Sequence, residues 1–367
     1  GLTRHGLGAW VLFLTYINLV ISNQLKIVPL SVQRTHTGVM FCNIPMKVDR
    51  MKLLSTLAAG VVFAAAATAA TLAVAQPLLS PAALQAKLSD ANVRVIDIRD
   101  PKSYAANHIP GSLNAPYGKW RGPANNPGDL PDLPKLTALV QSLGLTPSTH
   151  AVVVSSGADA TDFGASARVY WTLKVLGLTD LSVLNGGLKG WMVTGLPQNS
   201  SVSSVVASSF QLQIDTRLVA TKEELVQRIQ SGDSVLIDAR PADFFEGNTR
   251  HAGATVPGTL PGAVNLENSK WFVPGTSNFV DLGQAQQIAA ASPIDPAKET
   301  VSFCNTGHWA ATNWFAMSEV LGQKNVKMYA GSMVEWSKDP SGLPMANVPS
   351  RPKQLLIDVK LWAAKTF

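Results

Sequence analysis

The run VRVIDIRDP at residues 93–101 returns as SVLIDARP at residues 234–241, and this repeat decides the fold. In each copy a short, mostly apolar run precedes Asp-x-Arg, which is typical of a buried strand that ends at the edge of a sheet. Farther along, HIPGSLN at 108–114 is answered by TLPGAVN at 259–265. The chain therefore contains two copies of one unit.

The end of each copy carries the same signature. The tripeptide VLG occurs at 175–177 and at 320–322, and each copy later has a Gly-x-x-x-x-Trp pattern that ends at Trp191 or at Trp336. Both pairs are separated by 145 residues. A shared offset of this kind indicates a duplicated domain rather than scattered short matches.

Strand and helix patterns alternate within each copy. The run AVVV at 151–154 is strand-like, whereas residues 165–176 and 221–229 have helical patterns. Alternation of this kind predicts an α/β fold, with a mainly parallel sheet flanked by helices in each copy. We therefore expect two such domains.

The domain boundaries follow from composition. A segment rich in Ser, Pro, Asn and Gln separates the copies, and we predict a linker at 198–212. The first domain is then predicted at 76–197 and the second at 213–367.

Cys304 is the single cysteine of the two copies. It follows the apolar run VSF at 301–303 and precedes NTGHW at 305–309, after which a helical pattern begins. This order predicts a strand, a tight loop and a helix, with backbone amides directed toward the thiol. A thiolate at that point is stabilised by the aligned dipoles and becomes a nucleophile. The alternative is a buried cysteine that only fills space.

The first copy has no cysteine at the matching position, where it reads VSSG at 154–157. We therefore expect the first domain to be structural and to cover one side of a site held by the second.

Residues 51–75 have the pattern of a secretory signal. Met51 and Lys52 precede an uncharged run rich in Ala, Leu and Val, which ends in AVA at 73–75 before Gln76. The pattern predicts a signal peptide cleaved after Ala75 and a periplasmic or secreted protein without stable membrane contact. An uncleaved anchor is the alternative, because the apolar run is longer than roughly 15 residues. Residues 1–50 are an upstream segment of doubtful status.

The net charge of +6 comes mostly from this leader. Residues 1–75 hold six of the 30 Lys and Arg but one of the 24 Asp and Glu, so the remainder has 24 basic and 23 acidic residues. This balance gives no electrostatic argument for nucleic-acid binding. Cys42 also lies in this segment, which leaves Cys304 without a partner for an internal disulfide.

Together these motifs resemble the rhodanese family of sulfurtransferases, in its tandem thiosulfate and 3-mercaptopyruvate sulfurtransferase form. The likeness runs from about residue 77 to residue 344 and rests on the Asp-x-Arg strand ends, the Pro-Gly turns, the cysteine loop and the Gly-x-x-x-x-Trp patterns. It implies an inactive first domain and a catalytic second domain. It also implies that Cys304 takes a sulfane sulfur from a donor, holds it as a persulfide and passes it to cyanide, a thiol or sulfite.

The loop after the cysteine is the expected substrate-binding segment, because its amides would surround the outer sulfur of a persulfide. Its predicted binding residues are Asn305, Thr306, Gly307, His308 and Trp309. We expect His308 to shape the rim of the pocket and to bind an anion when protonated, and Trp309 to serve as an apolar wall or a substrate contact. No metal or other cofactor is expected, since His308 has no Cys or His neighbours at metal-ligand spacing.

The loop departs from the better-known patterns of the family. Thiosulfate-using members carry cationic residues after the cysteine and mercaptopyruvate-using members carry Gly-Ser-Gly, but this chain has neither. We therefore expect Arg240 to attract an anionic donor with its planar fork, an ion pair at the strand end being the alternative. Glu246 stands where mercaptopyruvate-type enzymes carry a second arginine, which favours a thiosulfate-like donor with cyanide or a thiol as acceptor.

Two other functions remain. A cysteine phosphatase needs an arginine that closes the loop, but Ala310 and Ala311 occupy those positions. A noncatalytic sulfur carrier or sulfide sensor is consistent with the same residues, and 3-mercaptopyruvate is the alternative donor.

Overall fold

Two sheets of parallel strands form the frame of the protein in a computed structural model, which describes residues 76–366. The predicted signal peptide and the upstream segment lie outside the described residues. The first sheet has the order β1-β5-β4-β2-β3, and all its pairings are parallel. Its strands are β1 (Leu78–Leu79), β2 (Val93–Asp97), β3 (Leu113–Asn114), β4 (His150–Val154) and β5 (Leu181–Leu184).

Helices flank this sheet, as expected where parallel strands are joined by crossovers. They are α1 (Pro81–Gln85), α2 (Pro101–Ala106), α3 (Leu133–Ser142), α4 (Ala160–Val175) and α5 (Gly187–Val193), with a 3-10 turn at Tyr117–Trp120. Every residue of α4 from 163 to 173 is buried. A helix that is buried on all sides packs between layers, and this one lies between the two domains.

The second sheet repeats the order of the first as β7-β6-β8-β9. Its strands are β6 (Ser234–Asp238), β7 (Val264–Asn265), β8 (Glu299–Phe303) and β9 (Val326–Met328). Val219 forms an isolated parallel bridge to Met328, in the place that β1 occupies in the first sheet. The register also repeats, since Asp97 pairs with Val154 and Asp238 pairs with Phe303.

The helices of the second domain are α6 (Lys222–Ser231), α7 (Ala242–Phe245), α8 (Leu282–Ala290), α9 (Trp309–Trp314), α10 (Ser332–Trp336) and α11 (Arg351–Thr366). A π-helix at Phe315–Val320 continues α9, and 3-10 turns lie at Thr216–Leu218 and Asn268–Trp271. Helix α6 begins with a capping box formed by Thr221 and Glu224 and ends at Gly232, whose φ of +69° suits glycine.

One apolar core runs through both domains, which belong to a single compact unit. Phe163 of α4 lies 5.1 Å from Phe272, 5.7 Å from Phe279 and 5.6 Å from Phe315, measured between ring centroids. Aromatic pairs of this kind contribute about 0.5–1.5 kcal/mol each beyond their burial. This shared core fixes the first domain against the second.

A polar tie lies beside this core. Glu319 is partly buried, with a side chain that is 8% exposed. It accepts hydrogen bonds from Lys174 at 2.6 Å and from Tyr170, and so links helix α4 to the π-helix. Burial raises the pKa of the Tyr170 hydroxyl, and Glu319 raises it further, so Tyr170 stays a neutral donor.

The predicted fold class is confirmed, with two α/β domains in parallel-sheet form. Residues 201–215 form neither helix nor strand, and Val205, Phe210 and Leu212 of this segment pack against the core. The predicted boundaries of the linker and the domains stay predictions. Within the described part of the chain, no helix has the length and apolar character needed to cross a membrane.

Candidate active site

Cys304 follows directly after β8, at the carboxyl end of a central strand. Open parallel sheets bind ligands at this edge. The thiol is free and the residue is only 1% exposed. The strand, loop and helix predicted around it are present as β8, residues 304–308 and α9.

Ser332 holds the cysteine loop closed. Its hydroxyl oxygen accepts hydrogen bonds from the amide of Cys304 at 3.0 Å and from the amide of Gly307 at 3.2 Å, and the hydroxyl donates to the carbonyl of Tyr329 at 2.8 Å. The amides of Met333 and Val334 then donate to the carbonyls of Cys304 and Asn305. The loop is thus fastened to α10 on one side.

The first domain shows what is special about Ser332. Gly187 occupies the matching position, and its φ of +56° is close to the +54° of Ser332. The amide of the following residue, Leu188, donates to Ser155 as the amide of Met333 donates to Cys304. The two loops therefore share one scaffold, and the second copy places a serine hydroxyl where the first copy has glycine in the left-handed conformation.

Three amides of the loop remain free to donate. Among residues 76–366, the amides of Asn305, Thr306 and His308 have no protein acceptor within hydrogen-bonding distance. They follow the cysteine in sequence and lie in the turn that leads into α9. Successive unpaired amides form an anion-binding concavity.

Gly307 needs to be glycine for two reasons. Its φ is +64°, and a Cβ atom built there would lie 2.5 Å from Arg168 Nη1 and 2.6 Å from the carbonyl oxygen of Ala330. No side chain fits in that space. The turn that presents the free amides depends on this residue.

Arg240 lies beside the loop but is mainly engaged by Asp238. The guanidinium donates through Nε and Nη2 to the carboxylate at 2.8 and 2.6 Å, and Nη2 also donates to the carbonyl of Gly258. Arg240 and Asp238 are 2% and 0% exposed. The remaining nitrogen, Nη1, donates to the side-chain oxygen of Asn305 at 3.3 Å. The ion pair given as the alternative for Arg240 is therefore present, and Arg240 also lies beside the loop. Its attraction of an anionic donor stays a prediction.

Two arginines of the first domain contact the same loop. Arg121 Nη2 donates to the carbonyl of Thr306 at 2.7 Å, and Arg168 Nη1 donates to the carbonyl of Gly307 at 3.2 Å. Arg168 is completely buried, and burial followed by the nearby Arg121 lowers its pKa to about 9. It therefore keeps its charge at pH 7. Only Arg240 was predicted from the sequence as a source of positive charge, and Arg121 and Arg168 are two further cations at the loop.

His308 contacts the first domain with both ring nitrogens. Nε2 lies 2.7 Å from the carbonyl oxygen of Thr161 and Nδ1 lies 2.8 Å from the Tyr117 hydroxyl. A carbonyl only accepts, so Nε2 carries the proton and Nδ1 accepts from Tyr117. Burial lowers the pKa of His308 to about 4, so the ring is neutral at pH 7. In this arrangement neither nitrogen is free for a substrate, and His308 shapes the domain interface beside the pocket.

Trp309 is partly buried between the domains. Its indole nitrogen donates to the hydroxyl of Thr161 at 3.2 Å, and its ring meets the edge of Phe244 at a centroid distance of 5.9 Å. Phe244 also lies under Arg240, with 5.7 Å between the guanidinium carbon and the ring centroid. Trp309 thus has the contacts of a wall residue.

The profile of the rhodanese-like domain matches residues 80–194 and 221–339. The chain belongs to the rhodanese family. It is a tandem member, because each of its two α/β repeats carries one match.

Curated relatives of this tandem rhodanese cover most of its length. It is 30% identical over 264 residues to the thiosulfate sulfurtransferase of Azotobacter vinelandii. The matched region covers 72% of this chain and 94% of the relative. It is 31% identical to a probable 3-mercaptopyruvate sulfurtransferase of Pseudomonas aeruginosa, with 72% of this chain and 95% of the relative covered. Relatives of both kinds thus match over nearly their whole length.

Solved structures share the fold. SseA from Escherichia coli, described as a 3-mercaptopyruvate sulfotransferase, matches with a TM-score of 0.62 and 22% identity, over 70% of this chain and 98% of that one. The anaerobic ergothioneine biosynthesis enzyme from Chlorobium limicola also gives a TM-score of 0.62 at 22% identity, over 70% of this chain and 64% of the other. At this identity the likeness concerns the fold alone.

Four residues that reach the loop from elsewhere in the fold were not predicted from the sequence. Ser332 could have been found by aligning the two repeats, since the offset of 145 residues places it opposite Gly187. Arg168 could have been noticed as a lone charge in the middle of a mostly apolar helix pattern. Tyr117 and Arg121 gave no such signal, because only the packing of the domains brings them to the loop.

Proposed function

We propose that this rhodanese is a sulfurtransferase that moves a sulfane sulfur from thiosulfate to a thiophilic acceptor through a persulfide on Cys304. The observation that carries the proposal is the position of Cys304, a free cysteine at the end of β8 followed by three unpaired amides. Family membership supports the reaction class, and the relatives named above are sulfurtransferases.

The first half-reaction loads the cysteine. The Cys304 thiolate attacks the outer sulfur of thiosulfate, a new S–S bond forms, and the bond to the sulfonate sulfur breaks with its electron pair leaving as sulfite. The charge of the persulfide then lies on its outer sulfur. We expect the unpaired amides of Asn305, Thr306 and His308 to donate to that atom, because fixed donors of this kind stabilise developing charge without reorganisation.

The second half-reaction removes the sulfur from the Cys304 persulfide. Cyanide or a thiolate attacks the outer sulfur, and Cys304 leaves as a thiolate that is ready for the next donor. The cycle as proposed uses no metal or other cofactor.

Thiosulfate is the donor that the residues support best. Three arginines contact consecutive loop residues, namely Arg240 at Asn305, Arg121 at Thr306 and Arg168 at Gly307, and they surround the site with positive charge. Glu246 is exposed and accepts a hydrogen bond from Asn248. Glu246 stands at the position of the second arginine in mercaptopyruvate-type enzymes, and an acid there does not assist the binding of a carboxylate donor such as 3-mercaptopyruvate.

Steady-state assays with each donor and cyanide test this proposal. We expect turnover with thiosulfate at a higher kcat/KM than with 3-mercaptopyruvate, and a high KM for thiosulfate because the loop itself has no cation. Faster turnover with 3-mercaptopyruvate would contradict the choice of donor. Stoichiometric sulfur labelling without turnover would instead indicate a noncatalytic carrier.

Export is a separate part of the proposal. The uncharged run before Gln76 and the AVA at 73–75 support a signal peptide and a periplasmic or secreted enzyme. N-terminal sequencing of protein from the cell envelope should give Gln76 as the first residue. Membrane-bound protein that still contains residues 53–75 would indicate an anchor.

A further inference from the structure

Arg168 is a buried cation with no carboxylate in salt-bridge contact among the described residues, and the more distant charge of Asp129 offsets only part of the lowering of its pKa. It is 0% exposed, and among the described residues no carboxylate lies within 4.0 Å of its guanidinium. Its Nη1 donates to the carbonyl of Gly307, while Nη2 donates to the carbonyls of Gly128 at 2.7 Å and Asp129 at 3.1 Å. The Nε atom is buried without a hydrogen-bond partner.

Such an arrangement is costly for the free protein. Burying a charge without a counter-ion is unfavourable even after the protein relaxes, and carbonyl dipoles compensate only part of this cost. The other buried arginine at the loop, Arg240, has Asp238 beside it. Charge at the loop is therefore unbalanced in the direction that favours an added anion.

The sulfur of Cys304 is the group that would carry this added negative charge. In the proposed cycle the cysteine is first a thiolate and then a persulfide, and both forms bring a negative charge to the loop whose Gly307 carbonyl accepts from Arg168. Arg121 adds a second positive charge nearby. Its guanidinium carbon lies 5.3 Å from the ring centroid of Tyr117, and its Nη2 donates to the Thr306 carbonyl. Tyr117 is kept neutral, because burial raises the pKa of its hydroxyl.

We infer that Arg168, assisted by Arg121, is the counter-charge for the anionic sulfur on Cys304 and is supplied by the domain that has no cysteine. Arg168 is a positioning residue in this role, since its contact with the Gly307 carbonyl also fixes the peptide whose amide belongs to His308. The first domain thus completes the electrostatics of the site. The inference rests on the proposed persulfide chemistry but concerns a state, the thiolate, that forms without any donor.

Alkylation of Cys304 by iodoacetamide at pH 7 tests the inference without a sulfur donor, because only the thiolate reacts. The rate is followed on the peptide that contains Cys304, so that Cys42 does not interfere. We expect Arg168→Met to slow alkylation about tenfold, because the variant removes a buried positive charge that favours the anionic form of the sulfur. Arg168→Lys should recover part of the rate, and Arg121→Met should have a smaller effect because Arg121 is only partly buried.

Arg217→Met is the matched control. The Arg217 side chain is 87% exposed and paired with Asp215, so its loss removes the same charge without touching the loop. A purely structural role for Arg168 predicts the opposite sign, because loosening the domain interface exposes Cys304 and speeds alkylation. Alkylation of Arg168→Met at or above the parent rate would therefore overturn the inference. If the parent showed no sulfur transfer but Arg168→Met still slowed alkylation, the proposed function alone would fail.

Discussion

The Tyr117 hydroxyl of the first domain donates to Nδ1 of His308 in the second, across 2.8 Å. Arg121 Nη1 in turn donates to the Tyr117 oxygen at 3.1 Å. His308 Nε2 donates a hydrogen bond to the Thr161 carbonyl. This chain of bonds requires a neutral histidine, because a proton on Nδ1 would oppose the hydroxyl proton of Tyr117.

His308 therefore makes stability depend on pH. Its pKa is about 4 in the folded protein and about 6.5 in an unfolded chain, so between these values the unfolded state binds the extra proton. Unfolding is favoured as the pH falls through this window. We expect His308→Gln to be less stable than the parent at pH 7. The difference in free energy of unfolding between the two proteins should become smaller toward pH 4. Thermal denaturation at several pH values measures this difference, and a difference that widens on acidification would contradict the assignment.

The repeat offers an internal control for Arg240. Arg99 forms the same pair with Asp97 in the first domain, at 2.7 Å, away from any cysteine. Removing either arginine leaves a buried carboxylate unpaired, which costs about 3–5 kcal/mol. We expect Arg99→Ala and Arg240→Ala to lose similar stability, whereas only Arg240→Ala lowers kcat/KM with thiosulfate, by about ten- to a hundredfold.

Arg240→Lys should restore part of that activity, since an ammonium lacks the planar fork. The measurement is made per mole of folded protein, at a temperature where both alanine variants remain native. Equal kcat/KM in the two alanine variants would assign Arg240 to the ion pair alone.

Ser332 combines a functional hydroxyl with an unfavourable backbone. Both Ser332→Ala and Ser332→Gly remove the acceptor for the amides of Cys304 and Gly307, so both should weaken sulfur transfer and lose about 1–3 kcal/mol of stability. Glycine adopts a φ of +54° freely, so Ser332→Gly should be about 1 kcal/mol more stable than Ser332→Ala. Chemical denaturation compares them, and a more stable alanine variant would show that the backbone stores no strain.

The sequence predicted the parts of this protein that are repeated or local. The matching runs at 93–101 and 234–241 became equivalent central strands, and the equivalent residues Trp191 and Trp336 are both buried. The cysteine loop was also placed correctly between β8 and α9. Period and spacing are enough for such features, because they depend on residues close together in the chain or on the comparison of two copies.

What the sequence did not predict depends on how the domains pack. Arg168 lies 139 residues before Gly307, and Tyr117 lies 191 residues before His308. No local pattern encodes a contact over such separations. The first domain was expected to cover one side of the site, but the charges that it brings to the loop follow only from the shared aromatic core.

The most direct test of the central claim is the intact mass of the protein after incubation with thiosulfate and removal of excess donor. We predict that the parent gains the mass of one sulfur atom, that cyanide removes it, and that Cys304→Ser gains nothing while keeping the parent's thermal stability. A sulfur atom retained by folded Cys304→Ser, or a parent whose added mass maps outside the peptide that contains Cys304, would contradict the account.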